Sequence, residues 1–259
     1  MPHSIVWILL CGVVVSAGGR AGAAPVVSCP GDIDGDEMVT INELITAVNS
    51  AITGCVYDPA IDPADFVAAV TNPYFPLEPG TTFHYESQSE EIAVTVTHET
   101  KTIIGVACTV VHDVVMEDGE ITEDTFDWYA QDRAGNVWYF GEDTTAFENG
   151  QPDKEGSWEA GVDGAKPGIA VEGVPRIGDK YRQEFYRGVA EDRGEVLSLT
   201  ESVQVAYGTF ENCLKTKDYT DLAPDVVENK VFCPGVGQVL ALTVEGGNDR
   251  EELVSLTHE

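Results

Sequence analysis

Residues 32–43 read DIDGDEMVTINE. Asp32, Asp34 and Asp36 stand at the first, third and fifth places of this stretch, and Glu43 at the last. Met38 offers a backbone carbonyl from the seventh place, and Thr40 a hydroxyl or a bridging water from the ninth. Ca²⁺ takes about six to eight oxygens in a flexible cage, and single-oxygen acids early with a bidentate acid late supply that set. Downstream, Ile41, Leu44, Ile45, Val48 and Ile52 recur at helical spacing, and Gly54 can end the helix. The plainer alternative is an Asp-rich turn that opens a helix without holding an ion.

A second set of chemistry-bearing residues lies further along. Glu117, Asp118, Glu120, Glu123, Asp124 and Asp127 crowd around one Asp-Gly turn. Two carboxyls flanking a glycosidic bond, about 5.5 Å apart or more, could act as acid and base. Asp127, Glu142 and Glu159 are the candidates for that role, against the reading of a solvated hairpin tip. The richest aromatic stretch, FDWYAQDRAGNVWYFGED (126–143), carries Phe126, Trp128, Tyr129, Trp138, Tyr139 and Phe140. Strand alternation sets Phe126 and Trp128 against Tyr129, and Trp138 and Phe140 against Tyr139. One face belongs to the core. The other, with Trp158 from the Gly-rich loop 156–168 above it, could stack a carbohydrate or a flat apolar ligand.

Other signatures fail. His84, His98 and His112 are evenly spaced on successive strands and invite a metal site. A hairpin turning near Ile103 would instead set His98 opposite Cys108 and His112 opposite Val94, about 13 Å apart. No Gly-x-Ser-x-Gly, second zinc-protease histidine or phosphate-cradling glycine loop occurs.

The 32–43 segment and its helix resemble the calcium-loop repeat of EF-hands, and more closely one repeat of a type I dockerin module, over about 25 residues. The resemblance implies calcium as cofactor, a cohesin-like or cell-envelope partner, and company with polysaccharide hydrolases. Glu37 takes the sixth place, where those repeats carry glycine. A second repeat is missing: Asp132, Ala134, Asn136 and Asp58, Asp62, Asp65 both miss the spacing. Cys29 and Cys55 flank the unit, and a bridge closing about 27 residues is worth roughly 3–4 kcal/mol in the chain-entropy model. Further on, NPYFPLEPGTTFHYE (72–86) resembles the opening of many bacterial secreted and lipoprotein β-domains through Tyr74, Phe75, Pro76, Leu77, Gly80, Phe83 and Tyr85. That likeness implies fold and compartment without an activity.

What must position these groups follows from the whole chain. Ile5 to Ser16 is apolar and Ala21-Gly22-Ala23 has small-x-small spacing, which predicts a secretory leader cleaved after Ala23, or after Ala17. The run is too short to span a bilayer, and Leu10 argues against lipid attachment at Cys11. Export places Cys29, Cys55, Cys108, Cys213 and Cys233 in an oxidising compartment, secreted or periplasmic. Cys213 can pair with Cys233 across a hairpin near 222–224, with Cys108–Cys213 as the rival. Across 259 residues, 45 Asp and Glu against 14 Lys and Arg give a net charge of −31, which excludes nucleic acid as partner.

Residues 57–71 read as a linker and a short helix begun by Asp62-Pro63. From 72 to 259 the periodicity is two, with turn signals at Asp118-Gly119 and Ala134-Gly135-Asn136. The expectation is a mainly β protein: an antiparallel sandwich or barrel of ten or more short strands behind a leader (1–23) and a small calcium-loop-plus-helix module (24–56). Its function reads as that of a secreted calcium-binding protein with a non-catalytic binding or cell-envelope domain. The alternative is a secreted hydrolase acting on polysaccharide through paired carboxylates.

Overall fold

The computed structural model describes residues 57–148 and 150–259, together with Thr40, Ile41, Leu44, Ile45 and Val48. Those last four apolar positions are helical, and the Leu44 N–H donates to the Thr40 carbonyl at 3.0 Å. The leader, Asp32, Asp34, Asp36, Met38, Glu43 and the Cys29–Cys55 pairing lie outside the described residues.

Pro59–Glu259 belongs to one unit. Asp62 caps Ala64 N–H at 2.9 Å with Pro63 next, as expected, yet only a 3₁₀ turn forms, Pro63–Asp65. The expected helix stops there because Phe66 and Val67 pair as a strand with Asp132 and Gln131. The strands are β1 (Phe66–Val67), β2 (Val70–Asn72) and β3 (Phe75–Leu77), then a meander of β4 (Thr81–Glu86), β5 (Glu90–Ile103), β6 (Val106–Glu117), β7 (Glu120–Asp132) and β8 (Val137–Glu148). β9 (Gln151–Asp153), β10 (Trp158–Glu159) and β11 (Lys166–Val171) all pair with β8, and β12 (Lys180–Arg182) and β13 (Glu184–Phe185) follow. A second meander closes the chain: β14 (Arg193–Val205), β15 (Gly208–Tyr219), β16 (Val227–Cys233), β17 (Gly237–Glu245) and β18 (Arg250–His258).

β18 pairs with β4, joining the meanders into one antiparallel sheet that ends in β12 at one edge and β13 at the other. Those two edge strands are consecutive in the chain, separated by Gln183 alone. One short segment therefore bonds to both edges, β12 to β14 and β13 to β11, and the sheet is a nearly closed barrel. Gly168 of β11 allows this seam: a Cβ there would lie 2.3 Å from the Gln183 carbonyl carbon and 2.6 Å from the Arg182 carbonyl oxygen. Such closure leaves few unpaired edges for other chains to template on.

Two-residue turns set the registers. Ile104-Gly105 and Asp118-Gly119 both place successive residues at positive φ (42° and 88°; 52° and 80°), the twist hairpins prefer. Inside the barrel, Ile92, Val96, Val111, Val115 and Phe83 form a buried cluster. The β2–β3 hairpin fills one end, its Phe75 ring 5.2 Å from Tyr129 and 6.2 Å from Phe232. A second cluster of Ile103, Val106, Cys108, Val110, Trp128 and Phe140 lies on the opposite face of the sheet, with Phe66 and Ala160 packed onto it. Cys213 and Cys233 are joined between β15 and β16, which decides between the two expected pairings and leaves Cys108 as a buried thiol.

Candidate functional site

On β7 the odd-numbered residues Glu123, Asp127 and Tyr129 face the barrel interior, and Asp113 of β6 stands opposite Thr125 on the same face. Asp127 is directly opposite Glu142 of β8, and Tyr129 directly opposite Tyr139. Plain alternation would send Tyr139 and Glu142, three residues apart, to opposite faces. A bulge at Phe140 and Gly141 turns both inward. Gly141 sits at φ 128°, and a Cβ there would be 2.2 Å from the Trp158 carbonyl oxygen. Only glycine fits, so β10 can lie close against the bulge.

The Tyr139 hydroxyl donates to Asp127 Oδ1 at 2.6 Å, and the Tyr129 and Tyr139 rings stack 4.8 Å apart. Burial pushes the Asp127 carboxyl up to about 7, with the Tyr139 hydrogen bond pulling the other way and Glu123 adding to the rise. Glu142 is raised well above the usual range, by burial first and then by the Asp127 and Glu123 charges. Asp113 is raised likewise, by burial and then by the charges of Asp127, Glu251 and Glu123. Its Oδ1 is buried with no hydrogen-bond partner.

The acidic lining continues around the wall. Glu251 and Asp192 are each held near pH 7, chiefly by burial, with Lys230 opposing the rise. Glu184, at the seam, is raised by burial and by the Asp192 and Glu142 charges. Lys230 is buried against Asp218 at 3.0 Å, and the Gln183 side chain also donates to Asp218 at 3.1 Å. Asp113, Asp127, Tyr129, Tyr139, Glu142, Asp192 and Glu251 are all surrounded by protein yet keep part of their surface accessible to water. They form an acidic, largely enclosed wall of groups that act on one another's charge, and low dielectric strengthens each such interaction.

Of the carboxylates singled out from sequence, Asp127 and Glu142 are brought together. Glu159 stands apart, paired with Lys101 Nζ at 2.7 Å. The acidic turn divides: Glu123 and Asp127 face inward, whereas Asp118 and Glu120 are exposed at the tip. The aromatic ligand face needs correction. Trp128, Phe140 and Trp158 are only 5%, 0% and 4% exposed. Trp128 and Phe140 lie beneath segments folded onto the sheet, and the Lys101 ammonium sits 3.2 Å over the Trp128 ring. Trp138 is half-buried, its Nε1 donating to Asp132 at 2.9 Å. Packed indoles of this kind have no free face to stack on a ligand; Tyr129 and Tyr139 remain, on the lumen side.

The histidines stay separate. A shift of register between Val96 and Thr100 puts His112 opposite Thr95 and Cys108 opposite Lys101, so neither expected partner is met. His112 stacks on Phe126 at 4.3 Å and bonds Asp124 at 3.0 Å. Among the described residues, no three His, Cys, Asp or Glu converge as a ready metal site. Thr40 is the described member of the calcium set; it precedes the helical position Ile41 and is exposed. Asp113, Glu184, Asp192 and Glu251 were not singled out from sequence. Asp113 had a signal, an acid between the inward Val111 and Val115 of β6; Asp192 precedes β14 and Glu184 lies in a two-residue strand, where alternation gives none.

No protein-family model and no curated protein matches the chain. Among solved structures, it is similar to an inferred exported protein with YmcC-like fold from Bacteroides fragilis, at 11% identity and a TM-score of 0.46 over 72% of this chain and 100% of that one. It is also similar to an inferred lipoprotein from Parabacteroides distasonis, at 15% identity and a TM-score of 0.42 over 72% of this chain and 99% of that one. No helix among the described residues is long and apolar enough to cross a membrane.

Proposed function

We propose that the chain is an exported, calcium-binding protein whose β-barrel is a binding domain, taking a small polar ligand into its acidic, tyrosine-lined lumen. The observation that carries the binding role is the opposed pair Asp127 and Glu142, with Tyr139 donating to Asp127, beside a buried Asp113 oxygen that has no hydrogen-bond partner. Unpaired buried polar atoms cost stability unless a partner arrives. A bound ligand is such a partner.

Export is supported by the leader-like run Ile5–Ser16 and by the Cys213–Cys233 bridge, a bond that persists in oxidising compartments. Calcium at Asp32, Asp34, Asp36, Met38, Thr40 and Glu43 is supported by their spacing and by the helical positions that follow. Calorimetric titration of the full mature chain with CaCl₂ tests it: heat is expected, and is expected to vanish in Glu43→Gln. Native mass spectrometry against a panel of neutral glycans and small amines tests the lumen. A one-to-one adduct weakened by Asp127→Asn supports the reading, and adducts indifferent to that substitution overturn it.

A second reading, polysaccharide hydrolysis, is favoured by the same Asp127–Glu142 opposition, since glycosidases work through a pair of carboxyls. Against it, burial pushes both carboxyls the same way, whereas acid and base roles need environments that push them apart. Turnover of a glycan panel that is lost in Glu142→Gln would establish hydrolysis in place of binding.

A further inference from the structure

Closure at the seam leaves a stretch of sheet edge open. β12 covers β14 only at Arg193, Gly194 and Glu195, and the last bonds on that side are those Val196 makes with Gly178 and Asp179. Beyond them, from Leu197 to Val203, no strand among the described residues pairs with this side of β14. Arg250 marks the far end, its guanidinium donating to the Gln204 carbonyl at 3.3 Å. None of the residues 197–203 is buried, and Leu197 is 37% exposed. Such an edge presents backbone donors and acceptors that another strand can meet.

Charge and shape limit what pairs there. From Val196 to Phe210 the chain has one charged residue in fifteen, Glu201, and Lys215 already pairs with it at 3.1 Å. Over most of a chain with net charge −31, a second copy is met by like charges. Along this edge two copies touch without that repulsion, and its Val and Thr suit a strand. Two shifts in the pairing with β15, between Val196 and Ser198 and between Ser198 and Glu201, each give β14 one residue more than its partner. Bulges of this kind twist an edge away from an arbitrary strand. A second β14, run antiparallel about a two-fold axis, carries the same bulges and the same local twist, so the two edges match.

We infer that the chain forms a two-fold dimer in which the Leu197–Val203 edges of two copies pair antiparallel, continuing the sheet from one protomer into its partner.

The test is sedimentation velocity on the full mature chain over a range of concentrations, with hydrogen exchange read by mass spectrometry at both ends of that range. The expected result is a monomer–dimer equilibrium in which the amides of residues 197–203 exchange more slowly as the dimer fills. Thr200→Glu and Ser202→Glu, both at exposed positions, put like charges on the shared edge. A two-fold axis counts each new charge twice, so each variant should weaken the dimer about ten-fold. Ser89→Glu, on the exposed turn between β4 and β5, adds the same charge and should leave the dimer unchanged. Melting temperatures of the dilute variants check their folding; if an edge variant misfolds, the exchange data on the unsubstituted chain decide. A monomer at every concentration up to about 0.1 mM overturns the inference. So does a dimer that the edge substitutions leave alone, or one that Ser89→Glu weakens equally. A synthetic peptide of residues 196–205 that slows exchange at 197–203 while the chain stays monomeric overturns the second copy in favour of a strand from another protein.

Discussion

Asp127 and Glu142 face each other directly across β7 and β8, and the hydroxyl of Tyr139 reaches Asp127 at 2.6 Å. Two like charges at opposed positions of an antiparallel pair repel, by an amount of the order of other cross-strand terms. Neutralising one should relieve the other. Asp127→Asn is therefore expected to stabilise the apo protein at pH 8 by about 1 kcal/mol, and to change little at pH 5, where the pair already holds protons. Urea denaturation at both pH values measures this; destabilisation at pH 8 would mean the pair is held together by something other than a shared proton.

The wider lumen gives the whole barrel a pH dependence. Asp127, Asp192 and Glu251 each stand near 7 through burial, against about 4 for such groups in an unfolded chain. The folded state thus binds more protons than the unfolded state between those limits. Stability from this source is complete below about pH 4 and is lost as pH rises through about 7. Neighbouring charges reinforce the trend: Glu123 acts on Asp127, Glu228 on Glu251, and Asp218 on Asp192, with Lys230 opposing the last two. The melting temperature of the apo protein should fall by several degrees between pH 5 and pH 8.

Gly141→Ala should be among the most disruptive single-methyl additions. The new Cβ would meet the Trp158 carbonyl oxygen at 2.2 Å, on a backbone at φ 128°. Strain of this kind costs about 1–3 kcal/mol before the clash is counted. The expected result is a loss of at least that size, with Trp158 fluorescence shifted as β10 moves away from β8. Gly164→Ala, also at positive φ but with open space around its Cβ position, isolates the strain component.

Much of this architecture was legible in the chain. Asp118-Gly119 announced its turn, Cys213 and Cys233 sat symmetrically about theirs, and alternation through Ile92, Val94 and Val96 marked strands. What escaped was whatever breaks a period of two. The register shift between Val96 and Thr100 moved the histidine partners, and the Gly141 bulge brought Glu142 round to the face of Tyr139. Bulges leave little trace in a single sequence, because one extra residue does not alter composition. The seam strands β12 and β13 have three and two residues, too short to show any alternation. The aromatic face was misjudged for a different reason: alternation separates the two faces of a sheet but does not say which one a later segment, here residues 158–165, will cover.

Cys108 offers a readout of opening. Its thiol is fully buried, and burial pushes it up to about 12, with Lys101 pulling the other way. Thiolate is the reactive form. Iodoacetamide at pH 8 should therefore leave the Cys108 peptide unmodified in the native protein and label it at the rate of unfolding. Labelling at the rate of a free model thiol would mean that the cluster around Trp128 opens locally.

Lys230 supplies the sharpest test of how the lumen charges are balanced. It is buried with Asp218 at 3.0 Å, and its charge favours the ionised forms of Asp192, Glu228 and Glu251 besides, opposing the rise that burial causes. Removing one partner of a buried pair costs about 3–5 kcal/mol, because the other charge is stranded. Lys230→Met should lose about that much at pH 8 and somewhat less at pH 5, where Asp192 and Glu251 hold protons and no longer need the ammonium. The Lys230→Met, Asp218→Asn double substitution should recover part of the loss, since it removes the stranded charge too. An unchanged denaturation midpoint at pH 8 in Lys230→Met would show that the carboxylates are already neutral there.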